Sequence, residues 1–510
     1  MSPRKNVPDL RLLAPVCAGL VGTRLGLSLP GVDAYVLAGA VFVAGIGCLC
    51  VPGRYAGTVV LLPIGAALLV GAVLTTAAAL RADAVRGGPI AVLAASGAHA
   101  RIDATVTGDP KIVKNVILIP VRIEELQSQA GDGDRGHDYR VRAKATVLAF
   151  ARVPQNTAAW TAMLPSMRIR LSGRLATPRD PDSPDTATIL ANQAPQIIGG
   201  PDLLQRLAGS LRADLRRAVA GLPPEPAGVL PALTLGDTSA VPPQTAADLK
   251  TAGLSFLTVV SGENLMFVSA AMLPLAKRIG LRARALAFFG ALLALGFTAL
   301  ARPGPPMVRA TVTALLASTA LATGRRFRGL TATAGAALIL LLLDPWLANA
   351  YGFILSVAAT AGLLISAPAW RDRLIIRGVP NPIATAAAFT AAAELYCEPL
   401  LVTFTGRLPL LSVPANVLAV PAAPPATVLG VAAMAAEALF PPAGPAAAWL
   451  AQWPTRWICL VARMIAGIPG AAVPWPNGAV GCFALLFVYA LGVKLCRAMQ
   501  RNGPLGDLNG

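Results

Sequence analysis

The chain has 510 residues, of which 55% are apolar and only 13% charged. Soluble domains carry about 25% charged residues, so this composition excludes an ordinary soluble protein and points to a membrane protein. The net charge of +18 fits either Lys- and Arg-rich cytoplasmic loops or a polyanionic partner.

Two His, His99 and His137, are too few for a His-rich metal site. The seven Cys sit in or beside apolar runs without zinc-like spacing and read as small buried side chains. No cofactor is implied. No G-x-x-x-x-G-K-[ST] phosphate loop occurs, and Ser261-Gly262 has no His base in the apolar half. The chain therefore reads as a non-enzyme.

In chain order, residues 2–11 are short and basic. Apolar spans follow at 12–29, 34–51 and 57–80. Arg4, Lys5, Arg11 and Arg54 place the N-terminus on the cytoplasmic side and residue 81 outside. Residues 81–200 change character. Alternation at 101–107, 116–123, 139–150 and 167–175 reads as four strands separated by Gly-Asp and Pro-rich turns. Short strands without long helices suggest a small β-barrel of the OB kind. Arg140, Arg142 and Lys144 alternate on one strand, and Arg168, Arg170 and Arg174 on another. Such faces are either plainly solvated or suited to a nucleic-acid backbone.

Residues 201–252 form a connecting region. Leu203, Leu204, Leu207, Leu211, Leu215 and Val219 recur at helical spacing, as in a helix lying on the membrane surface. Gly236 and Asp237 begin a turn, residues 244–251 a short helix, and Gly253 ends it. Residues 253–500 then carry nine apolar spans, from 254–274 to 478–498, with a short tail at 501–510. The fold class is thus a polytopic α-helical integral membrane protein of about twelve spans with an inserted extracytoplasmic β-barrel. Both termini are cytoplasmic. Five prolines in 409–439 call for a broken or re-entrant helix beside a pathway.

Three polar groupings stand out in the apolar half. Ser261, Gly262, Glu263 and Asn264 sit inside the span beginning at Leu254. They read either as a polar collar on a translocation path or as small-residue packing with Asn264 tied to a neighbouring helix. Arg302 and Arg309 flank one helix mouth, where they can guide phosphate oxygens or snorkel and form a salt bridge. Glu394 and Glu398, four apart, share a helix face before Pro399, with Arg302 or Arg309 as candidate partners.

The run LGDTSAVPPQTAADLKTAGLSFLTVVSGENLMFV (235–268) resembles the competence domain of the ComEC family. So do the RA at Arg309, DPWLANAYGFILSVAATAGLL (344–364), EPLL around Pro399 and VPANVLAVP (413–421). RIRLSGRL, ending at Leu175, is similar to that family's outer OB-like domain. The resemblance implies import of single-stranded DNA through the bacterial plasma membrane during transformation. It implies structural roles for Gly236, Asp237, Gly253, Gly352, Ser356, Pro399, Asn416 and Pro421. It also implies working partners: single-stranded DNA, membrane lipid, a DNA receptor, a separate nuclease and a cytoplasmic ATPase. Phe256 stands where the family usually has His, which removes a protonatable group. The HxHxDH cluster of the family's metallo-β-lactamase-like domain does not occur in this sequence, so a form without that domain is expected. The rival readings are a small-solute or ion transporter, which predicts inverted repeats, and a non-transporting envelope scaffold, which predicts a dry core.

Overall fold

The structure is a computed structural model. It describes residues 12–50, 58–113, 116–128, 138–140, 142–150, 154–180, 182–302, 304–325 and 329–501. Two compact units emerge. A barrel unit comprises 9–214 and 283–353, and a helical unit comprises chiefly 215–282 and 354–510. The division falls inside the amphipathic helix Leu203–Val219.

The barrel unit is built from period-2 alternation. We number its five barrel strands β1 (His99–Val106), β2 (Val116–Ser128), β3 (Ala143–Phe150), β4 (Arg168–Ala176) and β5 (Ala187–Ala191). Their order is β1-β2-β3-β5-β4, and β1 pairs again with β4 to close the ring. All these pairings are antiparallel except β3 with β5. Closure hides every strand edge inside the ring. Ile102, Ile117, Ile119, Ile123, Ile169 and Ile189 fill the interior. Trp160, on a helix between β3 and β4 (Pro154–Thr161), packs into the same core.

Four strands were legible from alternation. β5 was not, because ATILA is buried on nearly every residue and so carries no period of two.

Helices Gly31–Cys50, Leu61–Arg86, Ala283–Ala301, Ser412–Leu439 and Gly478–Leu495 are long and apolar enough to cross a membrane. A sixth crossing results if Tyr351–Ile365 and Ala367–Ile376, bent by 41°, count as one. Length and apolarity therefore support a polytopic membrane protein with fewer unambiguous spans than twelve among the described residues. In the proline-rich 409–439 region, Ser412–Leu439 is long and apolar enough for one span and is broken once. Helix Ser412–Ala419 passes through one 3₁₀ turn at Val420–Ala422 into Ala423–Leu439, and Pro421 lies exposed in that turn. A 3₁₀ step tolerates the amides that proline removes.

One expectation fails outright. The span predicted from Leu254 does not begin there. Ser255–Thr258 is a 3₁₀ turn, Val259 is extended, and the helix starts at Gly262. Ser261 is its N-cap, accepting from the Glu263 amide at 3.2 Å. Serine at the cap and glutamate in the first turn both favour a helix start. The polar tetrad thus forms a helix beginning.

The helical unit is organised by residues 229–257. Val229, Leu233, Leu249, Leu254 and Leu257 form one core with Ala415, Ala419, Ile458 and their neighbours. Gly236 ends helix Pro224–Leu235 at φ 69°. A Cβ there would lie 2.5 Å from Val260 Cγ2. Gly236→Ala should therefore cost about 2–4 kcal/mol, combining left-handed strain with overpacking. Adding Val260→Ala should recover only the packing share. Thermal melts of the purified chain in detergent check both.

Candidate functional site

In the helical unit the polar residues tie helix ends together. Helix Pro224–Leu235 leaves its last carbonyls without intrahelical donors. Asn264, 6% exposed, donates from Nδ2 to Leu233 O at 2.7 Å. Asn264 is thereby bonded to a neighbouring helix. The next residue after the Gly236 turn, Asp237, receives Arg216 Nε at 2.7 Å through Oδ2 and Ser239 Oγ at 2.6 Å through Oδ1. That pair joins the turn to the amphipathic helix. Gly253, at φ 73°, lies close against Ser412.

Ser412 leads to the carboxylates. Its Oγ donates to Glu394 Oε2 at 2.8 Å, and Asn416 Nδ2 donates to Glu394 Oε1 at 3.0 Å. Glu398, one turn on, is 7% exposed, and its Oε2 has no hydrogen-bond partner. Pro399 is buried within the same helix, Asn381–Thr405. Glu263 is half-buried at its helix start. The sequence grouped Glu394 with Glu398 but left Asn416 in a separate motif; the fold brings Asn416 to Glu394. Ser412 was missed, although a Ser four residues before Asn416 on one helix was a readable signal.

Arg302 and Arg309 belong to the barrel unit, whereas Glu394 and Glu398 belong to the helical unit. Arg302 already has partners in its own unit. Its Nε lies 3.1 Å from Asp109, and a second nitrogen bonds Gln205. Arg212 approaches the same Asp109 at 3.9 Å. Arg302 therefore fastens a barrel turn to a helix mouth, in the salt-bridge alternative. Arg309 is 6% exposed on helix Pro305–Thr323. Gly352 sits against Pro306, a close approach that its missing side chain permits. Ser356 lies on helix Tyr351–Ile365, its carbonyl taking Thr360 Oγ1 at 2.8 Å.

The barrel face alters the basic reading most. Arg170 makes two bonds of 2.6 Å to Asp103, directly opposite it on β1. Arg168 pairs with Glu124 at 3.5 Å, Arg140 with Glu125 at 3.8 Å, and Lys144 with Asp344 at 3.1 Å. Arg142 and Arg174 are exposed. The face is zwitterionic rather than uniformly basic. A register shift beside Asp103 makes room for both acids, since Glu124 and Glu125 oppose a single step of β1. The doubled Glu in the β2 sequence was the readable sign of that bulge. A shallow groove follows, lined by Arg101, Asp103, Glu125, Gln127 and Arg170.

Apolar helices long enough to span and a closed five-strand barrel point to a polytopic membrane protein that also carries a small β-domain. The Competence protein family matches residues 233–500, more than half of the chain, and the chain belongs to that family. It is 27% identical over 203 residues to ComE operon protein 3 of Bacillus subtilis (strain 168), covering 39% of this chain. The match spans 25% of that relative's length. No solved structure matches.

Two outcomes test this geometry. Asn264→Ala strands Leu233 O in a buried setting and should cost about 1–3 kcal/mol in thermal melts. The hydrogen bond from Arg170 holds the Asp103 carboxyl below its usual value of 3.8. A lowered value means that Asp103 stabilises the fold above its unfolded pKa and loses that effect as pH falls through the folded one. Melting temperatures taken from about pH 5 to about pH 2 should fall less steeply for Asp103→Asn than for the unchanged chain.

Proposed function

We propose that this protein admits single-stranded DNA through the bacterial plasma membrane during natural transformation. Membership of the competence family across residues 233–500 carries the reading. The finer proposals follow from it. The barrel is an OB-like module, supported by its β1-β2-β3-β5-β4 order, its one parallel pair and its helix between β3 and β4. It lies outside the membrane, both termini lie inside, and about twelve helices cross. The exposed leucines Leu203, Leu204 and Leu207 let the amphipathic helix rest in the headgroup layer.

In this reading the barrel receives the strand electrostatically. Arg142 and Arg174 are the cations best placed for phosphates, since Arg140, Arg168, Arg170 and Lys144 are engaged by acids. The chain catalyses no bond-breaking step. A DNA receptor, a nuclease and a cytoplasmic ATPase act as separate partners.

The deciding experiment is DNA uptake by a strain lacking the gene, complemented with the full chain. Loss of internalised DNA in the deletion and its return on complementation are the expected results; uptake unchanged by the deletion would overturn the proposal. Single-strand binding to the purified chain should weaken with salt. Replacing Arg142 and Arg174 by Gln should lower the slope of log K against log salt by about 1.4, from two lost phosphate contacts.

A further inference from the structure

The DNA reading leaves one buried feature unused. Glu394 and Glu398 lie four residues apart on helix Asn381–Thr405, facing the short helix Ser412–Ala419. Ser412 and Asn416 already satisfy Glu394 with two donated bonds. Nothing comparable reaches Glu398. It is 7% exposed, and Asn416 is 2% exposed. Glu398 Oε2 and Asn416 Oδ1 are both buried without a hydrogen-bond partner. Asn416 Nδ2 is fully used, bonding Glu394 and the Ser412 carbonyl at 2.9 Å. The helix that carries Glu398 holds a third acceptor. Pro399 has no N–H, so the Leu395 carbonyl loses the donor that a regular helix would supply.

Every group left over here is an oxygen acceptor, and none is a donor. Within this unit, among the described residues, no Lys or Arg forms an ion pair with either carboxylate. The other titratable neighbours are Cys397, whose thiol donates to the Leu355 carbonyl at 3.4 Å, and Tyr489 of the last helix. Arg407, on the strand Arg407–Pro409 that follows the helix, is exposed. Arg371, on the adjoining helix Ala367–Ile376, pairs with Asp372. A buried carboxylate without a counter-charge is unstable in an apolar medium. One bound cation supplies the partner that Glu398 lacks, while Glu394 keeps its two donated hydrogen bonds.

We infer that Glu398, Asn416 Oδ1 and the Leu395 carbonyl, backed by Glu394, form a binding site for one monovalent cation, either a proton or Na⁺. Carboxylates and freed helix carbonyls at an interrupted helix are suitable ligands for such ions. A proton would sit on Glu398 and donate to a neighbouring oxygen. Na⁺ would leave Glu398 ionised and take all three oxygens. The site is independent of the DNA reading, since these oxygens need a cation whatever crosses the membrane.

The test uses the purified full chain in detergent and dicyclohexylcarbodiimide, which modifies protonated carboxyls in apolar surroundings. Mass spectrometry reads the adduct on the peptide carrying Glu394 and Glu398. Labelling at Glu398 should fall by about tenfold or more as pH rises from about 5.5 to about 8.5. If Na⁺ is the occupant, NaCl protects at fixed pH while choline chloride does not. If the proton is the occupant, only pH matters. Glu398→Gln should abolish that label, with circular dichroism and the melting temperature verifying that the variant is folded. Labelling indifferent to both pH and Na⁺, or no labelling at any pH in a folded chain, would overturn the inference. A transformation defect with normal labelling would count against the DNA role of the site alone.

Discussion

The helical half depends on one left-handed turn. Gly236 ends a helix whose last carbonyls need donors, and its lack of a side chain lets Val260 close over it. Because the chain reverses there, Asn264 reaches Leu233 O and Asp237 reaches Arg216. A helix end, a helix start and the amphipathic helix are thereby fixed by three directed contacts around a single residue. Apolar burial supplies the bulk of the stability, as in any packed core, but it does not choose orientation. In a lipid-facing protein, where helix–helix contacts gain little from water exclusion, such polar ties carry much of the specificity.

The barrel follows the same economy of charge. Its outer face carries many Arg, yet Asp103, Glu124 and Glu125 stand among them. Direct cross-strand pairing commits Arg170, while Arg302 and Arg212 converge on a barrel turn at Asp109. Net positive charge is therefore a poor guide to which cations remain available. Those with exposed side chains and distant acids matter for an anionic strand, and they are fewer than the composition suggests.

The glutamate pair differs from these ties. Asp237, Asn264 and Glu394 each meet a complement within hydrogen-bond distance. Around Glu398 the complement is missing from the protein side, although Pro399 and Asn416 contribute further acceptors. Pro399 lies within the helix that carries both carboxylates and frees one of its carbonyls.

Several features were set by the sequence alone. Period-2 alternation marked four barrel strands, because a half-buried strand must alternate. The apolar runs marked the helices, because lipid admits few charges. Gly236 and Gly253 marked turns, because only glycine takes positive φ cheaply. The motifs of residues 235–268 were enough to suggest the family. Tertiary structure decided the rest. β5 carries no alternation and exists as a strand because β3 and β4 flank it. The 261–264 tetrad lies at a helix start, where capping favours it, and a window of apolar residues cannot locate that start. Which Arg meets which acid, and that Glu394 finds Ser412 and Asn416 while Glu398 finds no partner, depends on distances between segments far apart in the chain. Such distances are a property of packing, which no local pattern encodes.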